Sequence, residues 1–322
     1  MTGFYFVLVF RLGLAALRNR WFRLWVRLEL NIISFIPIFT ARGSLFQLEN
    51  RVKYFLTQAV ASLWFFFSST LALLFVERGV NTFIILALII KLGLAPCHTW
   101  FFRVMLSSRW IRIFLLSTIQ KFIPLLILRR INAPIWALIL SLTFSTLVVV
   151  SGGIKQLSAR KVLTFSSLNN IRWMVASITV RGHVWGFYFI RYVTIVGPLI
   201  IILSLTNRSF TRMVRMSRAT RQDIILILSL LFSLGGLPPL LGFFNKLAVG
   251  KLLLRAASWV ILFLVVASSL LLLFFYTTLA FYVARGGPSY EKVTKGSNSV
   301  AIKAVRIMPL SIIFLLGGLV GV

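Results

Sequence analysis

One pattern governs this sequence: apolar runs close to the thickness of a bilayer, each closed by arginines or lysines. The runs fall near 2–17, 21–39, 53–76, 80–106, 110–128, 131–151, 159–180, 184–205, 223–249, 258–284 and 304–322. A spanning helix needs about 20 apolar residues, so the pattern reads as about eleven transmembrane helices. The first run is short, and the fourth and ninth are long enough to tilt or break. Stretches such as Ile261–Phe275 do not alternate in polarity, which excludes the ~10-residue alternating segments of a membrane barrel. The expected fold class is an all-α integral membrane protein, a single polytopic domain over residues 1–322. The opening MTGFYFVLVFRLGLAALRNR has neither the basic leader of a signal peptide nor the Ser- and Arg-rich character of a transit peptide. It is expected to remain as the first span.

Charge sharpens this reading. The chain has 35 Lys and Arg against 5 Asp and Glu, with only 12% charged residues in all. In a soluble protein such a balance points to nucleic acid. Here the cations punctuate apolar runs instead of forming a patch or tail, as they do in the inward loops of membrane proteins, so no nucleic-acid partner is expected. Alternate loops hold nineteen cations on the N-terminal side and nine on the other, placing the N-terminus inside and the C-terminus outside. The most basic loop, 206–222, suits anionic lipid headgroups. With one cysteine and two histidines, the chain lacks the ligands for a disulfide framework, a multi-cysteine zinc site or an iron–sulfur cluster of its own. Redox cofactors are therefore expected elsewhere. Cys97 reads as a small packed hydrophobe, and the Gly182–Gly186 spacing as a weak signal of close helix packing.

Ionisable groups within spans are costly and generally face the bundle interior or a water path. Four stand out: Glu29 in WVRLELNIISF, Lys91 in FIILALIIKLGLAP, Lys121 in LLSTIQKFIPLLIL and Lys246 in GLPPLLGFFNKLAVG. A lysine removed from water sheds its proton more readily and can act as a carrier instead of a fixed charge. The competing reading of each lysine is a snorkelling or lipid-paired amine. That of Glu29 is an interfacial acid satisfied by Arg23 or Arg27. Pro96 follows Lys91 and Pro238-Pro239 precede Lys246; prolines within spans break helices, and broken helices line ion sites in transporters. Two such lysine-plus-break pairs fit an internal repeat. His98, beside the first break, suits a proton relay near neutral pH or a histidine bonded to backbone. Glu49, Glu77 and Glu291 are placed in loops and Asp223 at a helix start, without chemistry.

At these residues the sequence resembles the NADH dehydrogenase subunit 2 family, the mitochondrially encoded antiporter-like subunits of the respiratory complex I membrane arm. The resemblance is carried in order by WVRLELNIISFIPIF with KYFLTQAVAS, KLGLAPCHTWF, STIQKFIPLLIL, GGIKQLSARKVLTFSSLNNIRWM and SLGGLPPLLGFFNK. Beyond about Val260 the likeness is weak. It implies inverted five-helix repeats, each with one broken helix. It also implies a proton path through Glu29, Lys91, Lys121 and Lys246, with His98 as a further relay group. Expected partners are the other membrane-arm subunits and membrane lipids, cardiolipin among them. NADH, FMN, iron–sulfur clusters and ubiquinone are expected on other subunits, with no cofactor on this chain. The expected location is the mitochondrial inner membrane, N-terminus on the matrix side and C-terminus toward the intermembrane space. The chain departs from the family pattern after HTW, where it reads Phe101-Phe102-Arg103-Val104 and a Pro–Glu step is usual, at Asn170 and Arg172, where His and Gly are common, and at Asn245, where Pro is common. Two other classes stay open: a standalone cation/proton antiporter, for which five acids are few, and a scaffold in which the lysines are relics.

Overall fold

The computed structural model describes residues 21–40, 45–74, 80–131, 134–153, 158–180, 183–206, 221–238 and 240–285. The expected spans 2–17 and 304–322, most of the basic loop 206–222, Glu77, Glu291, Gly182 and Pro239 lie outside them.

All regular structure among the described residues is helical. The helices are α1 (Trp21–Thr40), α2 (Leu45–Leu74), α3 (Val80–Leu92), α4 (Thr99–Ser107), α5 (Trp110–Ser117), α6 (Ile119–Arg130), α7 (Ile135–Gly153), α8 (Ala159–Thr179), α9 (Val184–Thr206), α10 (Arg221–Gly235), α11 (Leu241–Arg255) and α12 (Trp259–Arg285). Among the described residues, five helical stretches are long and apolar enough to cross a membrane: Gln47–Ala72, Trp110–Arg130, Ile135–Gly152, Val184–Leu205 and Trp259–Phe281. The polarity of the packing is that of a protein solvated by lipid. Phe187, Phe263 and Phe281 point outward, while Lys91, Lys121, Arg172 and Lys246 are buried. Serines inside the helices return their hydroxyls to carbonyls three or four residues back, as Ser141 does to Leu138 at 2.9 Å, so the hydroxyl is satisfied without water.

The chain divides into two compact units, Met1–Val148 with Ile178–Arg181 and Val149–Ser177 with Gly182–Val322. In the first, α2 packs on α1, α3 and α4, and α6 lies against α1, α3 and α5. In the second, α10 packs on α9, α11 and α12, and α11 also meets α9 and α12.

Each unit holds one span broken by the same device. Helix α3 stops at Leu92, where Gly93 takes φ +72°; its N–H bonds the Ile90 carbonyl at 3.1 Å, and Leu94 N–H bonds Ile89 at 3.2 Å. Helix α10 stops at Gly235, where Gly236 takes φ +83°; its N–H bonds Ser233 at 3.0 Å, and Leu237 N–H bonds Phe232 at 3.2 Å. Both are Schellman caps with glycine in the left-handed position. The breaks expected at Pro96 and Pro238 are therefore set by glycine, with proline two or three residues downstream, where it prevents the helix from resuming.

Three expectations are corrected. Glu49 lies within α2, not in a loop, and pairs with Lys53 one turn on. Cys97 is exposed instead of packed, because it sits in the non-helical connector that Gly93 and Pro96 impose between α3 and α4. Gly186 faces open space, with no atom within 4 Å of where its Cβ would stand, so its spacing marks no close helix contact among the described residues.

Candidate functional site

In the first unit, Lys91 and Lys121 line one cavity. Both are almost fully buried. Lys91 is placed by the last turn of α3, just before the Gly93 cap, and its ammonium bonds the Gln58 carbonyl of α2 at 3.4 Å. Lys121 comes from α6, just past an irregularity at Thr118 (φ −117°, ψ −80°) that separates α5 from α6. Pro124 cannot supply the N–H that the Gln120 carbonyl would otherwise receive. The Ser117 and Thr118 hydroxyls both turn back to Phe114, at 3.1 and 2.6 Å, a further cause of local bending. The Lys121 Nζ lies 3.9 Å from the centre of the Phe101 ring and has no hydrogen-bond acceptor among the described residues. A cation over an aromatic face is attracted to its quadrupole, so Phe101 supplies part of what water would.

The cavity has about 10 Å³ available to the centre of a water molecule, and its polar lining is Asn31, Tyr54, Gln58, Lys91, Gln120 and Lys121. That volume is near the lower limit for one water. Residue-by-residue reading singled out none of Asn31, Tyr54, Gln58 and Gln120. Gln120 stood in plain view beside Lys121, but attention to charges alone passes over amides.

Glu29 does not touch this cavity directly. Its carboxylate accepts the Ser62 hydroxyl of α2, and among the described residues no direct ion pair joins it to Lys91. The two charges remain within electrostatic reach. His98 stands apart: its Nδ1 lies 3.0 Å from the Pro96 carbonyl and its ring meets Phe102 edge-on at 5.7 Å, the backbone-bonded arrangement.

In the second unit, Lys246 of α11 folds back so that its ammonium donates to the Gly235 carbonyl, at the broken end of α10. Its Nζ lies 5.9 Å from the Trp173 ring of α8. It borders a cavity of about 310 Å³ between α10, α11 and α12, walled mainly by apolar side chains. The positions where the chain departs from the family pattern are built into the structure. Asn245 accepts from Arg191 at 3.2 Å, and Asn170 accepts from Tyr188 at 2.9 Å while donating to Ser166 at 2.8 Å. Arg172, wholly buried, donates to the Leu264 carbonyl at 3.2 Å. Arg103 is exposed.

The described residues thus define a helical membrane module with broken spans and lysines held where lipid-facing proteins rarely tolerate charge. The family model described as NADH:quinone oxidoreductase/Mrp antiporter, transmembrane region, matches residues 77–272. NADH-ubiquinone oxidoreductase chain 2 of Anopheles gambiae is 34% identical over 257 residues, covering 76% of this chain and 74% of that protein. A chain in the structure of respiratory complex I from Thermus thermophilus with bound aureothin superposes with a TM-score of 0.78 at 26% identity, covering 92% of this chain and 73% of its own. A chain of the Mrp complex from a Dietzia species gives a TM-score of 0.80 at 16% identity, covering 98% of this chain and 74% of its own, a likeness of fold alone. The chain belongs to the NADH:quinone oxidoreductase/Mrp antiporter membrane family and, within it, to the NADH-ubiquinone oxidoreductase chain 2 proteins.

Proposed function

We propose that this chain is a membrane-arm subunit of a proton-pumping NADH:ubiquinone oxidoreductase, and that its buried lysines carry the pumped protons. The names of its relatives and its likeness to a complex I chain support the membership. The observation that carries the mechanism is the sharing of one small polar cavity by Lys91 and Lys121.

In this reading the chain does no redox chemistry. NADH, FMN, iron–sulfur clusters and ubiquinone act on other subunits, and their turnover reaches the membrane arm as a change in local charge. Glu29, held by Ser62, is the acid that responds: its approach to Lys91 favours the ammonium, and its withdrawal favours release of the proton. Charges within a few ångströms shift proton affinity enough to switch a buried amine. The proton released by Lys91 passes to Lys121, and Lys246 serves as the terminal carrier of the second unit. His98 is a side-route relay at most, given its bond to backbone. The two units, each with one Gly-capped break beside a lysine, support an inverted-repeat architecture of about eleven spans. The location is the mitochondrial inner membrane, N-terminus toward the matrix and C-terminus toward the intermembrane space. Other membrane-arm subunits and anionic lipids, cardiolipin among them, are the partners.

The test is Lys91→Met in the assembled complex reconstituted into vesicles, with protons moved per NADH oxidised as the readout. A fall in that ratio with assembly intact is expected. An unchanged ratio would leave only the scaffold role.

A further inference from the structure

Gln120 and Lys121 line the same cavity of the first unit, and each has a buried donor with no acceptor among the described residues. One is Gln120 Nε2, the other Lys121 Nζ. The opposite end of the Gln120 amide is fully engaged: its Oε1 accepts Asn31 Nδ2 at 2.8 Å and lies 3.4 Å from the Tyr54 hydroxyl. Asn31 comes from α1 and Tyr54 from α2, so two helices fix the orientation of an amide on a third. The outward-facing N–H is thereby aimed, and an unmet buried amide donor is costly. A water needs room and two to four polar partners to be held in a protein interior. This cavity offers the room of about one water and, with Gln120, Lys121 and Lys91, three partners.

We propose that Gln120 is a positioning residue that pins a single water between Lys91 and Lys121, so that the proton passes between the lysines through one oriented molecule. This rests on the relay reading and adds to it the group that orients the transfer. The water oxygen accepts the Gln120 N–H throughout. When Lys91 is protonated and Lys121 neutral, the Lys91 ammonium gives a proton to the water oxygen as the water gives one of its own to the Lys121 amine. One N–H bond breaks at Lys91, one forms at Lys121, and the water is restored with its orientation reversed. The Gln120 amide neither gains nor loses a proton. Its part is to keep the oxygen in line and to stop the water from turning toward the Gln58 carbonyl, which already receives Lys91 at 3.4 Å.

The experiment uses the assembled complex carrying Gln120→Met, a side chain of similar length with no amide donor, beside Lys121→Met and the parent. Coupled NADH oxidation, protons moved per NADH, the solvent deuterium isotope effect on coupled turnover and a high-resolution density map are recorded for each. In the parent the map is expected to contain one water within hydrogen-bond distance of Gln120 Nε2. In Gln120→Met that density is lost, coupled turnover falls about threefold, the weight of one ordinary hydrogen bond, and the isotope effect rises. Gln120→Glu, which keeps an oxygen for Asn31 and Tyr54 and when protonated offers a donor to the cavity, is expected to restore part of the rate. Normal pumping and an unchanged isotope effect in Gln120→Met, with Lys121→Met defective, overturns the proposal and leaves the relay standing. Normal pumping in both overturns the relay as well. A slowed Gln120→Met whose isotope effect is unchanged and whose parent map holds no water at this place assigns Gln120 to packing and also overturns the proposal.

Discussion

The ammonium of Lys246 is bonded to the carbonyl of Gly235, the last residue of the helix that ends eleven residues before it. A helix end leaves carbonyls without N–H partners, and in a bilayer no water is at hand to satisfy them. Here a side chain that needs an acceptor meets a backbone group that needs a donor. The break is therefore part of how the lysine is kept, beyond any bend it gives the span.

Gly236→Ala tests that coupling. The position has φ +83°, and an added Cβ would stand 2.7 Å from Lys246 Cδ. The left-handed backbone alone costs a non-glycine residue about 1–2 kcal/mol, and the contact forces Lys246 away from Gly235. Protons moved per NADH are expected to fall while the complex still assembles, as judged by native electrophoresis. Gly250→Ala is the control: it lies in the same helix as Lys246, and its nearest neighbour is 3.9 Å from the added Cβ. It should leave both readouts unchanged.

Glu29 has a definite partner in Ser62, which joins α1 to α2. A hydrogen bond to a charged group contributes about 1.5–3 kcal/mol, so Ser62→Ala is expected to free the carboxylate and, in the proposed relay, to weaken its hold on Lys91. Proton output is expected to fall, but less than in Glu29→Gln. If Ser62 acts only through Glu29, the double variant is no worse than Glu29→Gln alone. Additive losses in that cycle would assign Ser62 a separate role.

Much of this was legible in the residues, and the failures have physical causes. Of the eleven apolar runs, six match one described helix each and three, 80–106, 110–128 and 223–249, are each divided between two, because in lipid an apolar run is helical wherever no cap or kink interrupts it. Of these, α2 begins well before its run: the polar Gln47–Arg51 turn extends the helix beyond the apolar stretch. The breaks were found by their prolines, yet Gly93-Leu94 and Gly236-Leu237 carry the stop. A Gly–Leu pair ahead of proline is a readable cap signal that helix-breaking by proline overshadowed. The irregularity at Thr118 went unseen since serine and threonine distort a helix only when their hydroxyls turn inward, which sequence does not specify. The lysines were legible because charge in an apolar run is conspicuous. Gln120 and Ser62 were not, because a neutral polar side chain becomes informative only when its neighbours are known.

Lys121 offers the sharpest separation of structure from function. Its Nζ is buried over the Phe101 ring at 3.9 Å and has no acceptor among the described residues, so it is a poor stabilising element. Replacing a poorly satisfied buried charge by an apolar group of similar volume is often neutral or stabilising, by about 1–4 kcal/mol where buried ion pairs have been replaced. Methionine matches the length of lysine, and a thioether packs favourably against an aromatic ring. Lys121→Met is therefore expected to leave the melting temperature of the assembled complex unchanged or higher, while the number of protons moved per NADH drops. Opposite signs in the two measurements are what a residue retained for transport gives. If the melting temperature falls along with proton output, Lys121 is holding the fold, and its place beside Lys91 in the shared cavity is structural.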